Sequence, residues 1–144
     1  MLDAQTNPAS ASPSQPESVR CWALIPCAGV GSRAIAADAP APELPKQYQP
    51  VAGQPMVMHT LVAMGAVPAL AQVLLVISPN DAFWKERETP DYLRIAACGG
   101  ATRAETVGNG LADLLAHGAS PEDWVLVHDA ARCLLTSRQV QSLM

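Results

Sequence analysis

The sequence has few of the residues that nucleic-acid-binding and membrane proteins need. Lys and Arg together account for nine of its 144 residues, and the formal net charge is −4 at pH 7. Nucleic-acid-binding domains carry a basic patch, so this balance argues against that class. The apolar runs are shorter than the ~18 to 20 residues of a membrane-spanning helix, and the N-terminus lacks the basic and apolar segments of a signal peptide. The composition therefore predicts a soluble, cytoplasmic protein that binds neither nucleic acid nor membrane.

Cysteine is also scarce, and the four residues are too widely and irregularly spaced for a zinc motif. They are Cys21, Cys27, Cys98 and Cys133. Most of them fall in or beside predicted strands. We therefore expect reduced, buried thiols in a cytosolic protein rather than a disulfide framework.

A hydrophobic fraction of 49% in 144 residues is enough for one domain with a core. Residues 1–19 are rich in Ala, Ser, Pro and Gln without periodicity, which predicts a disordered leader. Residues 20–144 form the predicted domain. Within it, residues 34–45 are rich in Ala and Pro, and two interpretations stay open for them: a mobile lid or a neutral insertion.

Strand and helix patterns alternate along the domain. Strands are predicted at 23–25, 73–77, 93–97 and 124–127 from short runs of apolar and β-branched residues. A helix is predicted from Pro55 to about Ala66. A second helix starts at a capping box formed by Thr102 and Glu105 and presents Val107, Leu111, Leu114 and Leu115 on one face; another capping box, Thr136 with Gln139, starts a third. This order predicts a three-layer α/β fold, a mostly parallel sheet with helices on both faces.

The central feature is the segment PCAGVGSR at residues 26–33, which directly follows the first strand. Pro26 has no N–H for the sheet and ends the strand. The next residues have little or no side chain, so that backbone N–H groups can approach an anion; they are Ala28, Gly29 and Gly31. Arg33 adds a permanent cation, and Lys46 in the PKQY block at 45–48 adds a second. Together these features predict a triphosphate site.

Two common phosphate motifs do not fit. GVGSRA matches the G-x-G-x-x-A dinucleotide pattern, but prolines prevent a helix from starting at once and no acid ends the second strand. A P-loop is excluded because no Gly-Lys-Ser/Thr follows Gly29. A dinucleotide-dependent oxidoreductase is therefore the least favoured class.

Three blocks in order resemble the 2-C-methyl-D-erythritol 4-phosphate cytidylyltransferases, a family of the nucleotidyltransferase superfamily. The blocks are residues 26–33 with 45–48, Gly99-Gly100 with Arg103, and VHDAAR at 127–132. The resemblance implies a Rossmann-like nucleotidyltransferase fold and transfer of CMP from CTP to 2-C-methyl-D-erythritol 4-phosphate, with release of pyrophosphate, in isoprenoid precursor biosynthesis. It also implies a homodimer.

The same resemblance assigns roles to individual residues. Arg33 and Lys46 would be catalytic and stabilise the transition state. Asp129 would bind Mg²⁺, the expected cofactor. Nucleotide contacts are implied for Pro26, Cys27, Ala28, Gly29, Gly31, Gly100, Arg103, Thr106, Asp129 and Ala130. The sequence departs from the family pattern at Ala101, where an acid is frequent.

The resemblance covers residues 21–144 and corresponds to the N-terminal part of a family domain. We therefore expect a fold that is incomplete at the C-terminus, and a chain that is inactive alone. Two alternatives remain: a cytidylyltransferase acting on another sugar or alditol phosphate, such as ribitol 5-phosphate, and a non-catalytic nucleotide-binding fragment.

Overall fold

The computed structural model of the chain describes residues 18–29 and 44–144. Gly31, Arg33 and most of the Ala/Pro-rich segment at 34–45 lie outside the described residues, as does nearly all of the predicted leader at 1–19. The predictions made for them stay predictions.

A four-stranded parallel sheet forms the centre of the described domain, in the order β5-β4-β1-β6. Its strands are β1 Cys21–Pro26, β4 Leu70–Val76, β5 Leu93–Ala96 and β6 Trp124–Val127. β1 pairs in parallel with β4 on one side and with β6 on the other, so that Leu24 lies opposite both Leu74 and Val127. The four apolar runs of the sequence are therefore the four strands of one sheet. A short antiparallel hairpin, β2 Pro50–Val51 and β3 Gln54–Pro55, lies apart from it.

Helices cover both faces of this sheet. They are α1 Met56–Gly65, α2 Arg103–Ala116 and α3 Ser137–Gln141, and a 3-10 helix spans Lys46–Tyr48. Successive side chains of β1 point to opposite faces. Ala23 and Ile25 belong to the core that includes Leu61 of α1, whereas Trp22 and Leu24 belong to the core that includes Leu114 of α2. This arrangement confirms the predicted three-layer α/β fold with helices on both faces.

The buried face of α2 differs from the prediction. Leu114 is buried and Val107 is partly buried, as predicted, but Leu111 and Leu115 are 38% and 51% exposed. Thr106 and Gly110 are buried in their place. A Cβ added at Gly110 would come within 2.7 Å of Leu24 and Val76. The helix therefore packs close to the sheet through its glycine, and this contact turns the two leucines toward solvent.

Smaller differences concern a helix start and the thiols. Pro55 is the N-cap of α1, which begins at Met56, rather than its first residue. All four cysteines are free, as expected, but Cys27 is the buried one and the other three are partly exposed. In the part of the chain that the structure describes, no helix has the length and apolar character needed to cross a membrane.

The capping box at the start of α2 leads to a prediction of stability. The Thr102 side chain accepts a hydrogen bond from the Glu105 N–H at 3.1 Å, and the Glu105 carboxylate accepts one from the Thr102 N–H at 3.1 Å. Replacing Thr102→Ala is expected to lower the free energy of unfolding by about 1 kcal/mol, measured by urea denaturation. Thr102→Ser keeps the hydroxyl and should lose little. An equal loss in both variants would contradict the capping role.

Candidate functional site

The candidate site lies at the carboxyl-terminal edge of the sheet. Because all four strands are parallel, the segments that follow them meet at this edge. From β1 the chain adds β4 and β5 on one side, and then α2 carries it back to β6 on the other side of β1. The side on which strands are added to the sheet thus reverses between β1 and β6. Open α/β sheets bind ligands in the crevice at such a point.

The segment after β1 forms what we call the glycine turn, residues 27–29. It is tied to the sheet by a hydrogen bond from the Cys27 N–H to the Val76 carbonyl at 2.7 Å. Ala28 packs against Gly99, where an added Cβ would collide with it. The buried side chain of Gln47 donates to the carbonyl oxygens of Cys27 at 3.1 Å and Gly29 at 2.8 Å. The turn is therefore held on three sides, while Gly29 itself is exposed.

Lys46 precedes Gln47 as the first residue of the 3-10 helix, and it is exposed. The other end of this helix is anchored by Tyr48, which is buried. The Tyr48 hydroxyl donates to the Asp81 carboxylate at 2.5 Å and accepts from the indole N–H of Trp84 at 3.1 Å. Its ring stacks on Phe83 with centroids 4.0 Å apart. The cation of Lys46 is thus presented by a short, well-anchored turn.

The second glycine segment precedes α2. The buried hydroxyl of Thr106 accepts a hydrogen bond from the Gly100 N–H at 3.1 Å and donates to the Thr102 carbonyl at 2.9 Å. A Cβ added at Gly100 would overlap Glu105. Thr106 therefore shapes this turn through its hydroxyl. The nucleotide contacts predicted for Gly100 and Thr106 stay predictions.

Asp129, directly after β6, is held by two arginines. Its Oδ1 accepts hydrogen bonds from Nε of Arg103 at 3.0 Å and from Nη2 at 2.9 Å, and its Oδ2 lies 2.8 Å from Nε of Arg132. Partial burial acts to raise the pKa of the Asp129 carboxyl, but the hydrogen bonds and charges of the arginines outweigh it and hold this pKa below its ordinary value. The predicted residues Arg103, the first residue of α2, and Asp129, after β6, therefore meet.

Thr60 of α1 supports the loop that carries Asp129. Its fully buried hydroxyl lies 3.3 Å from the carbonyl oxygen of Ala130 and 3.4 Å from that of Arg132. Ala130 is itself buried in the core. The helix on one face of the sheet thus fixes the loop after β6.

His128 does not have the protonation expected of a general acid at neutral pH. Burial lowers the pKa of its imidazole, and Nδ1 is buried without a hydrogen-bond partner among the described residues. The neutral form is therefore favoured.

The protein side chains at this edge do not build a metal site by themselves. No group of three or more His, Cys, Asp or Glu side chains within 18–29 and 44–144 is placed to hold an ion. Asp129 is one carboxylate, and both of its oxygens already contact arginines. It fits Mg²⁺ as a single ligand to an ion that arrives with phosphate oxygens, a common mode for this metal.

The contacts made by Gln47, Tyr48 and Thr60 were not anticipated from the sequence. Gln47 and Tyr48 belong to the PKQY block, so the block itself was the signal, but it did not indicate which side chain contacts what. Thr60 had no signal, because a threonine inside an amphipathic helix is ordinary.

Comparison with known proteins gives a consistent result. A family model described as 2-C-methyl-D-erythritol 4-phosphate cytidylyltransferase matches residues 21–144. The bifunctional enzyme IspD/IspF of Albidiferax ferrireducens is 53% identical over 92% of this chain and 30% of its own length. A 2-C-methyl-D-erythritol 4-phosphate cytidylyltransferase of Laribacter hongkongensis is 51% identical over 81% of this chain and 47% of its own length.

A solved structure agrees with these sequence matches. A crystal structure of a 4-diphosphocytidyl-2C-methyl-D-erythritol synthase superposes with a TM-score of 0.69 at 37% identity, covering 85% of this chain and 52% of that one. The chain thus spans about half the length, or less, of the relatives that it matches.

The burial of Cys27 predicts its reactivity. Burial raises the pKa of this thiol to about 12, so that very little of it is in the reactive thiolate form at pH 8. In the folded protein we expect thiol reagents to modify the partly exposed cysteines and to spare Cys27 until denaturant is added. Cys27→Ala should label to the same extent as the wild type under native conditions. A loss of one fast-reacting thiol in that variant would contradict the assignment.

Proposed function

Because the chain belongs to the 2-C-methyl-D-erythritol 4-phosphate cytidylyltransferase family, we propose that it carries the CTP-binding half of an enzyme that transfers CMP to 2-C-methyl-D-erythritol 4-phosphate. Pyrophosphate would be released, and the product would serve isoprenoid precursor biosynthesis. The proposal concerns the whole enzyme, since the chain spans about half of its relatives.

The observation that supports the proposal is that the glycine turn follows β1 and the Arg103–Asp129–Arg132 cluster includes the segment after β6, so that both belong to the carboxyl edge of one parallel sheet. Lys46 precedes Gln47, which contacts the turn. Small residues with free backbone beside fixed cations are suited to a polyphosphate. We propose that residues 27–29, with Gly31, bind the triphosphate. Gly100 and Thr106 would lie along the cytosine and ribose, and Pro26, Arg103 and Ala130 would also contact the nucleotide.

These residues would act by electrostatic stabilisation and alignment of the phosphates rather than by proton transfer. A phosphate monoester has a second pKa near ~6, so the attacking oxygen of the acceptor is already ionised at neutral pH and no general base is required. The protein then has to align the two phosphates and neutralise the charge that develops on the leaving pyrophosphate. Lys46 supports this role through its exposed side chain and anchored backbone. Arg33 is proposed for the same role.

We propose Mg²⁺ as the cofactor, bound by Asp129 together with phosphate oxygens. When bound, the ion would neutralise phosphate charge and orient the triphosphate. Asp129 would then release at least one of its two arginines, which would be free to contact the nucleotide. The low pKa of its carboxyl keeps it ionised and available at neutral pH.

We further propose a cytoplasmic homodimer. The free cysteines support a reducing compartment. Leu134 and Leu143, which follow β6 in the chain, are 89% and 74% exposed, and such apolar side chains are suited to burial in an interface.

The proposed activity is tested by pyrophosphate release from CTP, Mg²⁺ and 2-C-methyl-D-erythritol 4-phosphate. This chain should be compared with the same chain extended by the C-terminal half of the Laribacter hongkongensis relative. We expect turnover from the extended protein. If it folds and binds CTP but releases pyrophosphate with neither this acceptor nor ribitol 5-phosphate, the transferase proposal is wrong and the site is a nucleotide-binding module.

Lys46→Ala in the extended protein should lower kcat by ~10²-fold, the effect of losing one contact of on the order of 3 kcal/mol to the transition state. The dissociation constant for CTP should change far less, because Lys46 is proposed to act mainly on charge that develops during the reaction. Steady-state kinetics and calorimetry measure the two effects. Lys85→Ala removes the other lysine of the chain, outside the site, and is the matched control. Equal losses in rate and binding for Lys46→Ala would contradict the role.

A further inference from the structure

We propose that Gln47 is a positioning residue that holds two carbonyl groups of the glycine turn, sets the direction of the Ala28 N–H and thereby sets the affinity of the turn for phosphate. The inference rests on the proposed function, because it assigns the turn to the triphosphate. It concerns a residue that does not itself need to touch the nucleotide.

The contacts of Gln47 are unusual for a residue in a short surface helix. Its side chain is buried, with 7% of its surface exposed. The single nitrogen Nε2 lies 3.1 Å from the carbonyl oxygen of Cys27 and 2.8 Å from that of Gly29. An amide nitrogen carries two hydrogens, so that one side chain satisfies both carbonyl groups.

These two hydrogen bonds determine where the turn directs its donors. The Cys27 carbonyl and the Ala28 N–H belong to one planar peptide unit and point in opposite directions. Holding the carbonyl toward Gln47 therefore turns the Ala28 N–H away from it. Among residues 18–29 and 44–144, the Ala28 N–H donates no hydrogen bond. Gln47 thus holds two carbonyl oxygens, which would repel a phosphate, and directs the Ala28 N–H away from itself.

The chemistry of glutamine suits this position. A carboxylate would place an acceptor against two carbonyl oxygens and repel them. A cation would compete with Lys46 for the phosphate. Gln47 also adjoins Lys46 in a 3-10 helix whose other end is anchored by the hydrogen bond from Tyr48 to Asp81. The same anchored 3-10 helix therefore carries the cation of Lys46 and positions the Ala28 N–H through Gln47.

The test is Gln47→Met, which keeps the size of the side chain and removes both donors. The matched control is Gln49→Met, two residues along, whose Nε2 contacts the Leu44 carbonyl at 3.3 Å and does not touch the glycine turn. Calorimetry with this chain measures the dissociation constants for CTP with Mg²⁺ and for inorganic pyrophosphate. We expect both to rise about tenfold in Gln47→Met, corresponding to one or two net hydrogen bonds, and to stay within about twofold in Gln49→Met.

Amide order parameters from NMR provide a second measurement that needs no ligand. At Ala28 and Gly29 we expect a fall from the rigid range of ~0.85 toward ~0.6 in Gln47→Met, with the strand residues Ala23 and Ile25 unchanged. In Gln47→Glu, order should return as the pH falls and the carboxyl gains a proton to donate. This pH dependence also serves if Gln47→Met does not fold.

The outcomes separate the inference from the function on which it rests. Tight CTP binding and an ordered turn in folded Gln47→Met, or equal losses in Gln49→Met, would overturn the positioning role. If the folded wild-type chain binds neither CTP nor pyrophosphate, the proposed function fails. The order parameters then still decide whether Gln47 holds the turn, and an unchanged turn overturns the inference.

Discussion

The pairing of β1 on both of its edges is the constraint on which the rest of the structure depends. Because β1 pairs in parallel with both β4 and β6, the loops that follow these three strands lie at the same carboxyl-terminal edge of the sheet. Burial of β1 on both faces then requires a helix above and a helix below, which α1 and α2 supply. Each covering helix also contributes directly to the site, α2 through Arg103 and α1 through the hydroxyl of Thr60.

The features that could be predicted from the sequence are those fixed by residues close together in the chain. Strand runs, both capping boxes and the small-residue segment after β1 each depend on fewer than about ten consecutive residues. The parallel order followed from the alternation of strands and helices. Arg103 and Asp129 were each expected to contact a nucleotide. Their ion pair was not expected, because no local sequence pattern indicates it.

The features that could not be predicted depend on contacts between residues that are far apart in the sequence. The buried face of α2 is set by the close packing of Gly110 on Leu24 and Val76. The spacing of the leucines in the sequence does not indicate this contact. Gln47 contacts carbonyl groups 18 and 20 residues earlier. Because every residue has a backbone carbonyl, the residue types do not indicate which carbonyl groups a side chain contacts. The hydroxyl of Thr106 bridges the Gly100 N–H and the Thr102 carbonyl, and no sequence pattern indicated these contacts.

Two arginines on one carboxylate leave the Arg103–Asp129–Arg132 cluster with one positive charge in surplus. A chain with a net charge of −4 therefore carries a small cationic cluster at the carboxyl edge of the sheet. Such a local field speeds the diffusional encounter with an anionic ligand, even though the molecule as a whole repels it. The arginine side chains are largely exposed, so that added salt screens this attraction over a distance of about 10 Å at 0.1 M. Ionic strength should accordingly govern how fast a nucleotide arrives more than how firmly it is held.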